Sequence, residues 1–313
     1  MSSSPFALRI ATRRSRLALW QAEHVAARLR AAHAGLEVTL VPMTTQGDRT
    51  LDRSLAAIGG KGLFIKELER AIAAGDADIA VHSMKDVPGD MPPGMVLTAM
   101  LEREDPSDAF VSVRHERFDD LPRNAKVGTS SLRRQCQLKA LRPDLELVTL
   151  RGNVETRLQR LQEGAYDAII LATAGLKRLE LENRITHRFD VERCVPAVGQ
   201  GIIGIECRED DARALALMAA LNDATAWQCC QAERAFAQRL QGSCQSPIAG
   251  FAQIERGQLI LRGVIGSPDG LEMYRDTASG APQDATAIGV ELAERLLAAG
   301  AGPLLERLRS EPA

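Results

Sequence analysis

Asp78-Ile79-Ala80-Val81-His82-Ser83-Met84-Lys85-Asp86 is an apolar run that breaks into polar and charged residues, and Asp167-Ala168-Ile169-Ile170 echoes its start later in the chain. The run predicts a buried strand over 78–81, with His82 to Asp86 at its carboxyl end. Upstream, a strand over 7–11 leads through Thr12 to a helix with the apolar stripe Ala18, Ala22, Val25, Leu29 and Ala32. A strand over 36–41 follows, and then a helix over 63–74 that stops at Gly75, a natural C-terminal cap.

The same order recurs around the echo. Val127-Gly128-Thr129-Ser130-Ser131 opens a helix carrying Leu132 and Leu138, followed by a strand over 145–150, a helix ending at Gly164 and a strand over 167–172. Leu36-Glu37-Val38 likewise matches Leu145-Glu146-Leu147. Two related α/β domains with parallel sheets are expected, their ligand sites beyond the strand ends. The stretch 44–62, rich in Gly, Thr and charge, is expected to be a long loop, either a functional lid or disordered. After about Asn222 the pattern becomes a helix, strands over 251–254, 259–264 and 271–274, and a long helix from about Asp284, which predicts a third, α+β domain.

A chain of 313 residues can bury two or three cores. Hydrophobic residues at 45% and charged residues at 26% are those of an ordinary folded protein. The 39 basic and 41 acidic side chains leave a net charge of -2, too even for a general nucleic-acid or membrane footprint, so any anion site is local. The opening MSSSPFALRIATRR lacks a continuous apolar core, and no run approaches the roughly 18 apolar residues of a membrane span, so the cytoplasm is the expected compartment. Cysteines 136, 194, 207, 229, 230 and 244 form no CxxC pair, and no histidines cluster with them, so neither a metal site nor a disulfide framework is expected. Five read as small buried hydrophobes. Cys244, in Gly242-Ser243-Cys244-Gln245-Ser246-Pro247, sits in a turn that exposes its sulfur.

Four arginines fall where strands give way to helices or loops: Arg13, Arg133, Arg134 and Arg151. Helix N-termini offer free N–H groups and a positive dipole end, to which Ser and Thr add hydroxyl donors. Arg157 points to the same place if its helix begins near Asn153. Any one of these arginines reads equally well as a solvated helix-start residue; four at equivalent positions in two domains point to a shared polyanionic ligand. Asp86, beside Lys85 at a strand end, is placed to act as a general acid or base or to stabilise a cation, although a lysine–aspartate surface pair is the plainer reading. Gly59-Gly60-Lys61-Gly62 matches neither the nucleotide P-loop nor the dinucleotide fingerprint.

Several long motifs in order resemble the porphobilinogen deaminases: Ala11-Thr12-Arg13 with Leu17-Ala18-Leu19-Trp20-Gln21, Gly59-Gly60-Lys61-Gly62-Leu63-Phe64, His82 to Pro88, Gly128 to Arg134, Leu150 to Val154, Pro196-Ala197-Val198-Gly199-Gln200-Gly201 and Gly242 to Pro247. The resemblance runs from about Leu8 to the last helix. It implies two related periplasmic-binding-protein-like (type II) α/β domains, 5–101 with 202–219 and 107–195, plus a smaller α+β domain over 223–313. It implies a dipyrromethane cofactor, thioether-linked to Cys244, and held by Lys85, Asp86, Thr129, Ser130, Ser131, Arg133, Arg134 and Gly152. Substrate contacts are implied for Arg13, Lys61, Phe64, Ser83, Arg151, Arg157 and Gln200. Gln46 and Arg16 depart from the family pattern, where arginine and proline are expected.

The implied reaction is the head-to-tail condensation of four porphobilinogens on that primer, with loss of ammonia, followed by hydrolysis to hydroxymethylbilane. Each substrate brings an acetate and a propionate, so the growing polypyrrole is a polyanion suited to arginines. The resemblance gives Asp86 the central part: assisting departure of ammonia, holding pyrrole N–H groups and helping to remove the ring proton. A monomer without nucleic-acid or membrane partners is expected. Two rivals are a non-catalytic anion receptor, which leaves the third domain and Cys244 unexplained, and a transferase with Cys244 as nucleophile, for which no histidine stands nearby in sequence as base.

Overall fold

The computed structural model describes residues 6–49, 62, 64–242 and 246–310. Lys61, Cys244 and most of the expected loop, 50–61, lie outside the described residues. The described chain forms two compact units, one from 6–49, 64–103 and 202–227, the other from 104–201 and 228–310.

In the first unit, β1 (Phe6–Arg13) runs parallel to β2 (Leu36–Met43) on one side and to β3 (Ile79–Ser83) on the other. The later strand β10 (Ile203–Arg208) lies antiparallel between β3 and β4 (Met95–Met100), giving the order β2-β1-β3-β10-β4. Helix α1 (Arg16–Ala32) starts where the Ser15 hydroxyl accepts the Ala18 N–H. It packs Ala22, Val25, Ala26 and Leu29 against Leu8, Ile10, Val38, Ile79 and Val81. The expected stripe is right at its centre, but Ala32 is exposed in the final turn and Ala26 is buried instead. Helix α2 (Lys66–Ala73) covers the other face, with Leu68, Ala71 and Ile72 on Ala11 and Ala80. Part of the expected loop is a helical turn, Gln46–Arg49.

The second unit repeats the plan. Here β6 (Lys126–Gly128) is parallel to β7 (Glu146–Val148) and β8 (Ala168–Ala172), and β5 (Asp108–Ser112) lies antiparallel between β8 and β9 (His187–Arg188). The order β7-β6-β8-β5-β9 again puts an antiparallel strand fourth. In this sheet that strand comes first in sequence; in the first sheet it comes last, supplied by the returning chain. The two echoing aspartates do the same job at the heads of β3 and β8. The Asp78 carboxylate accepts the Arg9 N–H at 2.7 Å and the Asp167 carboxylate accepts the Lys126 N–H at 2.8 Å. In return the Asp78 and Asp167 N–H groups donate to the carbonyls of Arg9 and Lys126, both at 2.9 Å.

The C-terminal part is an antiparallel meander of β11 (Ile248–Glu255), β12 (Gln258–Gly266) and β13 (Met273–Gly280). Three helices, Ala224–Arg239, Ala285–Leu296 and Gly302–Ser310, accompany it, and Phe236, Leu240, Leu259, Leu261, Leu292 and Leu296 form its core. The third strand falls later than the expected 271–274, because residues 267–272 make a turn in which the Ser267 N–H donates to the Glu272 carbonyl. The long helix expected from Asp284 breaks at Gly300, whose φ of +112° leaves the helical region. The domain meets helix α3 (Leu132–Leu141) closely: a Cβ on Gly270 would lie 2.8 Å from the Lys139 carbonyl carbon and 2.9 Å from the Cys136 oxygen. Cysteines 136, 194, 207, 229 and 230 are all buried, as the sequence predicts. No helix among the described residues is long and apolar enough to cross a membrane.

Replacing Asp78 or Asp167 with alanine removes a strand-head carboxylate from an N–H of the neighbouring strand, and at Asp78 also from the Arg9 guanidinium. Each change is expected to cost roughly 1 to 2 kcal/mol, the scale of a charge-assisted hydrogen bond discounted for partial exposure, and the two should add because they share no partner. Urea denaturation of both single variants and the double variant tests this; a loss within error of zero at either site would show that the motif is dispensable there.

Candidate functional site

Parallel neighbours end on the same edge of a sheet, so in the first unit Arg13, the turn after β2 and the residues after β3 share one edge. Thr12 is buried and its hydroxyl donates to the Ala18 carbonyl at 3.1 Å. Arg13 leaves the strand between two partners, its Nε 3.2 Å from Asp48 Oδ2 and its guanidinium carbon 4.3 Å from the centre of the Phe64 ring. A second guanidinium nitrogen closes the bidentate pair with Asp48. Thr45 donates to the same carboxylate through its hydroxyl at 2.7 Å and its N–H at 3.2 Å. Burial pushes the Asp48 carboxyl up, but the bonds and charge of Arg13, with Thr45, outweigh it and hold the group below its ordinary range.

Beyond β3 the chain turns once through a 3-10 helix, Met84–Asp86. The Met84 N–H extends the ladder to the Ile202 carbonyl at 3.0 Å, and the Val87 N–H returns to the Met84 carbonyl at 3.1 Å. Ser83 exchanges hydrogen bonds with the Gln21 amide at 2.8 and 3.2 Å. Asp86 stands half-buried on this turn beside Lys85, and its carboxylate has no hydrogen bond or ion pair among the described residues.

In the second unit Thr129, Ser130 and Ser131 follow β6, while Arg151 and Gly152 follow β7. The Thr129 N–H donates to the Val148 carbonyl at 2.9 Å. The Ser130 hydroxyl donates to the Leu150 carbonyl at 2.8 Å and accepts its N–H at 3.1 Å, which fixes Arg151 beside the start of α3. Ser131 caps that helix through the Arg134 N–H. Gly152 has φ +110° and a Cβ there would meet Thr156 Cγ2 at 2.9 Å, so the turn admits glycine only. Asn153 then caps helix α4 (Val154–Gln162), as the sequence expects, and Arg157 Nε donates back to the Gly152 carbonyl at 2.8 Å.

Arg133 and Arg134 are not solvated at the helix start. Both are buried and both bind the fully buried Asp108, at 2.8 and 2.7 Å. Gln200 donates to the same carboxylate at 3.0 Å, Arg133 also donates to the Val195 carbonyl and Arg134 to the Ile170 carbonyl. Burial pushes the Asp108 carboxyl up, but the two guanidinium charges and their hydrogen bonds win and hold it far below the ordinary carboxylate range. The sequence reading missed Asp108; its visible signal is an acid at the head of the apolar run Ala109-Phe110-Val111, which demands a buried cation.

This cluster fits an anionic ligand beyond Asp108. The Nε–H groups of Arg133, Arg134 and Arg151 are buried without an acceptor. Arg151 makes no ion pair among the described residues, and burial alone pushes its guanidinium down. A carboxylated ligand supplies what such a group lacks.

Asp108→Asn leaves two buried guanidiniums without a counter-charge, an expected loss of about 3 to 5 kcal/mol near neutral pH. The folded-state pKa lies below the 3.8 of an unperturbed carboxyl, so the stabilisation is complete above 3.8 and is lost as pH falls below it. Denaturation of both proteins across this range is expected to show the gap closing on acidification; a gap independent of pH would exclude an ionised Asp108 as its source.

The strand orders are those of a type II periplasmic-binding-like protein, with a smaller three-stranded C-terminal domain added. Among solved structures, the methionine binding protein MetQ is similar at a TM-score of 0.46 and 15% identity, over 70% of this chain and 91% of that one. A TRAP periplasmic solute binding protein from Desulfovibrio salexigens gives 0.43 and 16%, over 70% and 72%. The periplasmic VFT2 domain of Bordetella pertussis BvgS gives 0.42 and 14%, over 69% and 86%. Residues 8–216 match the family model for "Porphobilinogen deaminase, dipyromethane cofactor binding domain", and residues 227–298 match that for "Porphobilinogen deaminase, C-terminal domain". Because the first match alone spans well over half of it, the chain belongs to the porphobilinogen deaminase family, and it is a transferase of tetrapyrrole synthesis (EC 2.5.1.61) that uses a dipyrromethane cofactor to turn porphobilinogen into hydroxymethylbilane.

Proposed function

We propose that Asp86 is the catalytic carboxylate of this reaction, and the observation that carries the reading is its half-buried carboxylate on the turn beyond β3, which has no partner among the described residues. Positive charge develops on the substrate as ammonia departs, and a carboxylate held on a short turn opposes it without first having to reorganise. The same group accepts pyrrole N–H donors and takes the ring proton at the end of each addition. Ser83 and Lys85 flank it, Lys85 and Asp86 toward the cofactor and Ser83 toward the substrate. When bound, the dipyrromethane supplies the free pyrrole α-carbon that serves as nucleophile, so Cys244 acts as its anchor and not as a turnover nucleophile.

The second unit supplies the anion contacts. Thr129, Ser130, Ser131, Arg133, Arg134 and Gly152 would hold the cofactor, and Arg151, Arg157 and Gln200 the substrate side chains. Support comes from the buried, acceptor-free Nε–H groups of Arg133, Arg134 and Arg151. Arg13, with Phe64 and Lys61, has the corresponding substrate role in the first unit. We also infer a cytoplasmic monomer without nucleic-acid or membrane partners. The near-even charge supports the lack of a nucleic-acid partner, and the small number of large exposed apolar side chains among the described residues, Val113, Leu271 and Val290, supports the monomer.

Asp86→Asn is expected to remain folded and to carry cofactor, yet to release ammonia in a single turnover at least ~100-fold more slowly. A wild-type rate would move the search to another carboxylate. Cys244→Ala is expected to lose the covalent adduct in intact mass and with it all turnover; an active, adduct-bearing variant would remove Cys244 as anchor. Arg151→Leu should weaken handling of the anionic chain by on the order of 1.5 to 3 kcal/mol, with lysine rescuing only in part; unchanged kcat/KM in the leucine variant would make this side chain a solvated bystander.

A further inference from the structure

The strand that leads to Asp86 has an apolar base in Ile79, Ala80 and Val81, but it ends on a buried polar pair. His82 and Glu206 have side chains 3% and 0% exposed, and Nε2 lies 2.7 Å from Oε2. In the β3–β10 ladder His82 faces Gly204 and Glu206 faces Ala80, so all four lie on the face that α2 covers. Between Ile205 and Glu206 strand β10 shifts its register against β4, an irregularity of the kind that re-aims a side chain next to an active site. Gly204 opens a notch: the thioether of Met84 occupies the space that a Cβ on Gly204 would fill. Met84 in turn is the first residue of the turn that carries Lys85 and Asp86.

Stability does not account for a hydrogen-bonded polar pair at this depth. Apolar groups of the same shape often replace both partners of a buried hydrogen bond without loss, and this pair carries an added cost because Glu206 Oε1 is buried without a hydrogen-bond partner among the described residues. Glu69 of α2 faces the same pair; burial first, then the negative charge of Glu206, push its carboxyl up, against the opposing pull of His82. What a hydrogen-bonded pair supplies and an apolar pair lacks is direction, since one geometry satisfies it.

We infer that Glu206, acting through His82, is a positioning residue for the catalytic turn: the pair locks the end of β3 to β10 at the point from which Met84 sets the place of Asp86. The inference rests on Asp86 being the catalytic carboxylate. A shift of about 1 Å at a reacting group lowers turnover by about 100-fold, so partial release of the lock should register in kcat and leave KM nearly unchanged.

Two changes test it on the cofactor-loaded protein, Glu206→Gln and the apolar pair His82→Leu with Glu206→Met. Both are expected to carry the full cofactor mass, and the apolar pair to melt at or above the wild-type temperature, while kcat falls about 10- to 100-fold and KM for porphobilinogen stays within about twofold. In an Asp86→Asn background Glu206→Gln should cost nothing more, because the two act through one group. A wild-type kcat in either variant, full additivity with Asp86→Asn, or failure of the apolar pair to fold would each overturn the inference, the last by making the pair a stability element. A fast Asp86→Asn protein would instead overturn the assignment of Asp86, whatever Glu206→Gln does.

Discussion

The buried carboxylate of Asp108 is the constraint on which the second unit is built. It stands at the head of β5, and its donors come from separate segments: Arg133 and Arg134 from α3, and Gln200 from the chain just before β10. The same arginines reach on to the carbonyls of Val195 and of Ile170 in β8. A carboxylate with no access to water cannot lose these donors one at a time, since each loss leaves charge uncompensated in a medium that does not screen it. Next to Gln200, the Gly199 N–H donates to the buried Glu233 at 2.6 Å, and Glu233 also accepts the Ala252 N–H of β11 at 2.7 Å. Consecutive residues thus tie the arginine cluster to the C-terminal domain, whose sequence contains Cys244.

Most of the fold was legible because the chain states its plan twice. The runs beginning at Asp78 and Asp167 are short, apolar and headed by the same acid, and the acid proves to be a working part, bonded to the neighbouring strand in both copies. The helix starting after Ser15 and the one ending before Gly75 carried their own caps. Strands β4, β5 and β10 were harder to see. Their residues are buried on both faces or sit next to loops, so they lack the alternation that marks a half-buried strand. The place of β10 in the first sheet is set by a partner more than a hundred residues away in sequence, information that a local pattern does not hold; only the family resemblance placed the returning segment there.

For the site, the sequence identified the residue types and the strand ends but not the partners. Arg133 and Arg134 read as anion receptors at a helix start; the anion they hold in the structure is Asp108 of the same chain. Ser130 reads as a ligand donor, and its hydroxyl also joins both backbone groups of Leu150. Arg13 has the same double character through Asp48. A motif reveals which donors are present, whereas the internal acceptor that already uses them lies at an arbitrary distance in sequence, 25 residues for Arg133 and 35 for Arg13.

That double character bears on how a nearly neutral protein handles a chain whose negative charge rises with every addition. Bare arginines in a low-dielectric site would hold such a ligand more tightly at each step, since every new carboxylate adds an undiminished attraction. An arginine that already holds an aspartate offers only the difference between two similar interactions, and the exchange conserves the number of ion pairs. On the proposed reading, Arg13 with Asp48 and Arg133 and Arg134 with Asp108 are of this kind, while Arg151, buried in part and without an acid among the described residues, would retain its full attraction. On that reading the internal aspartates would lower the affinity that the count of arginines suggests, and they hold the guanidiniums in a defined geometry. On the proposed reading, Asp86, whose carboxylate has no partner among the described residues, is the exception, because the charge it would meet is positive and exists only during the reaction.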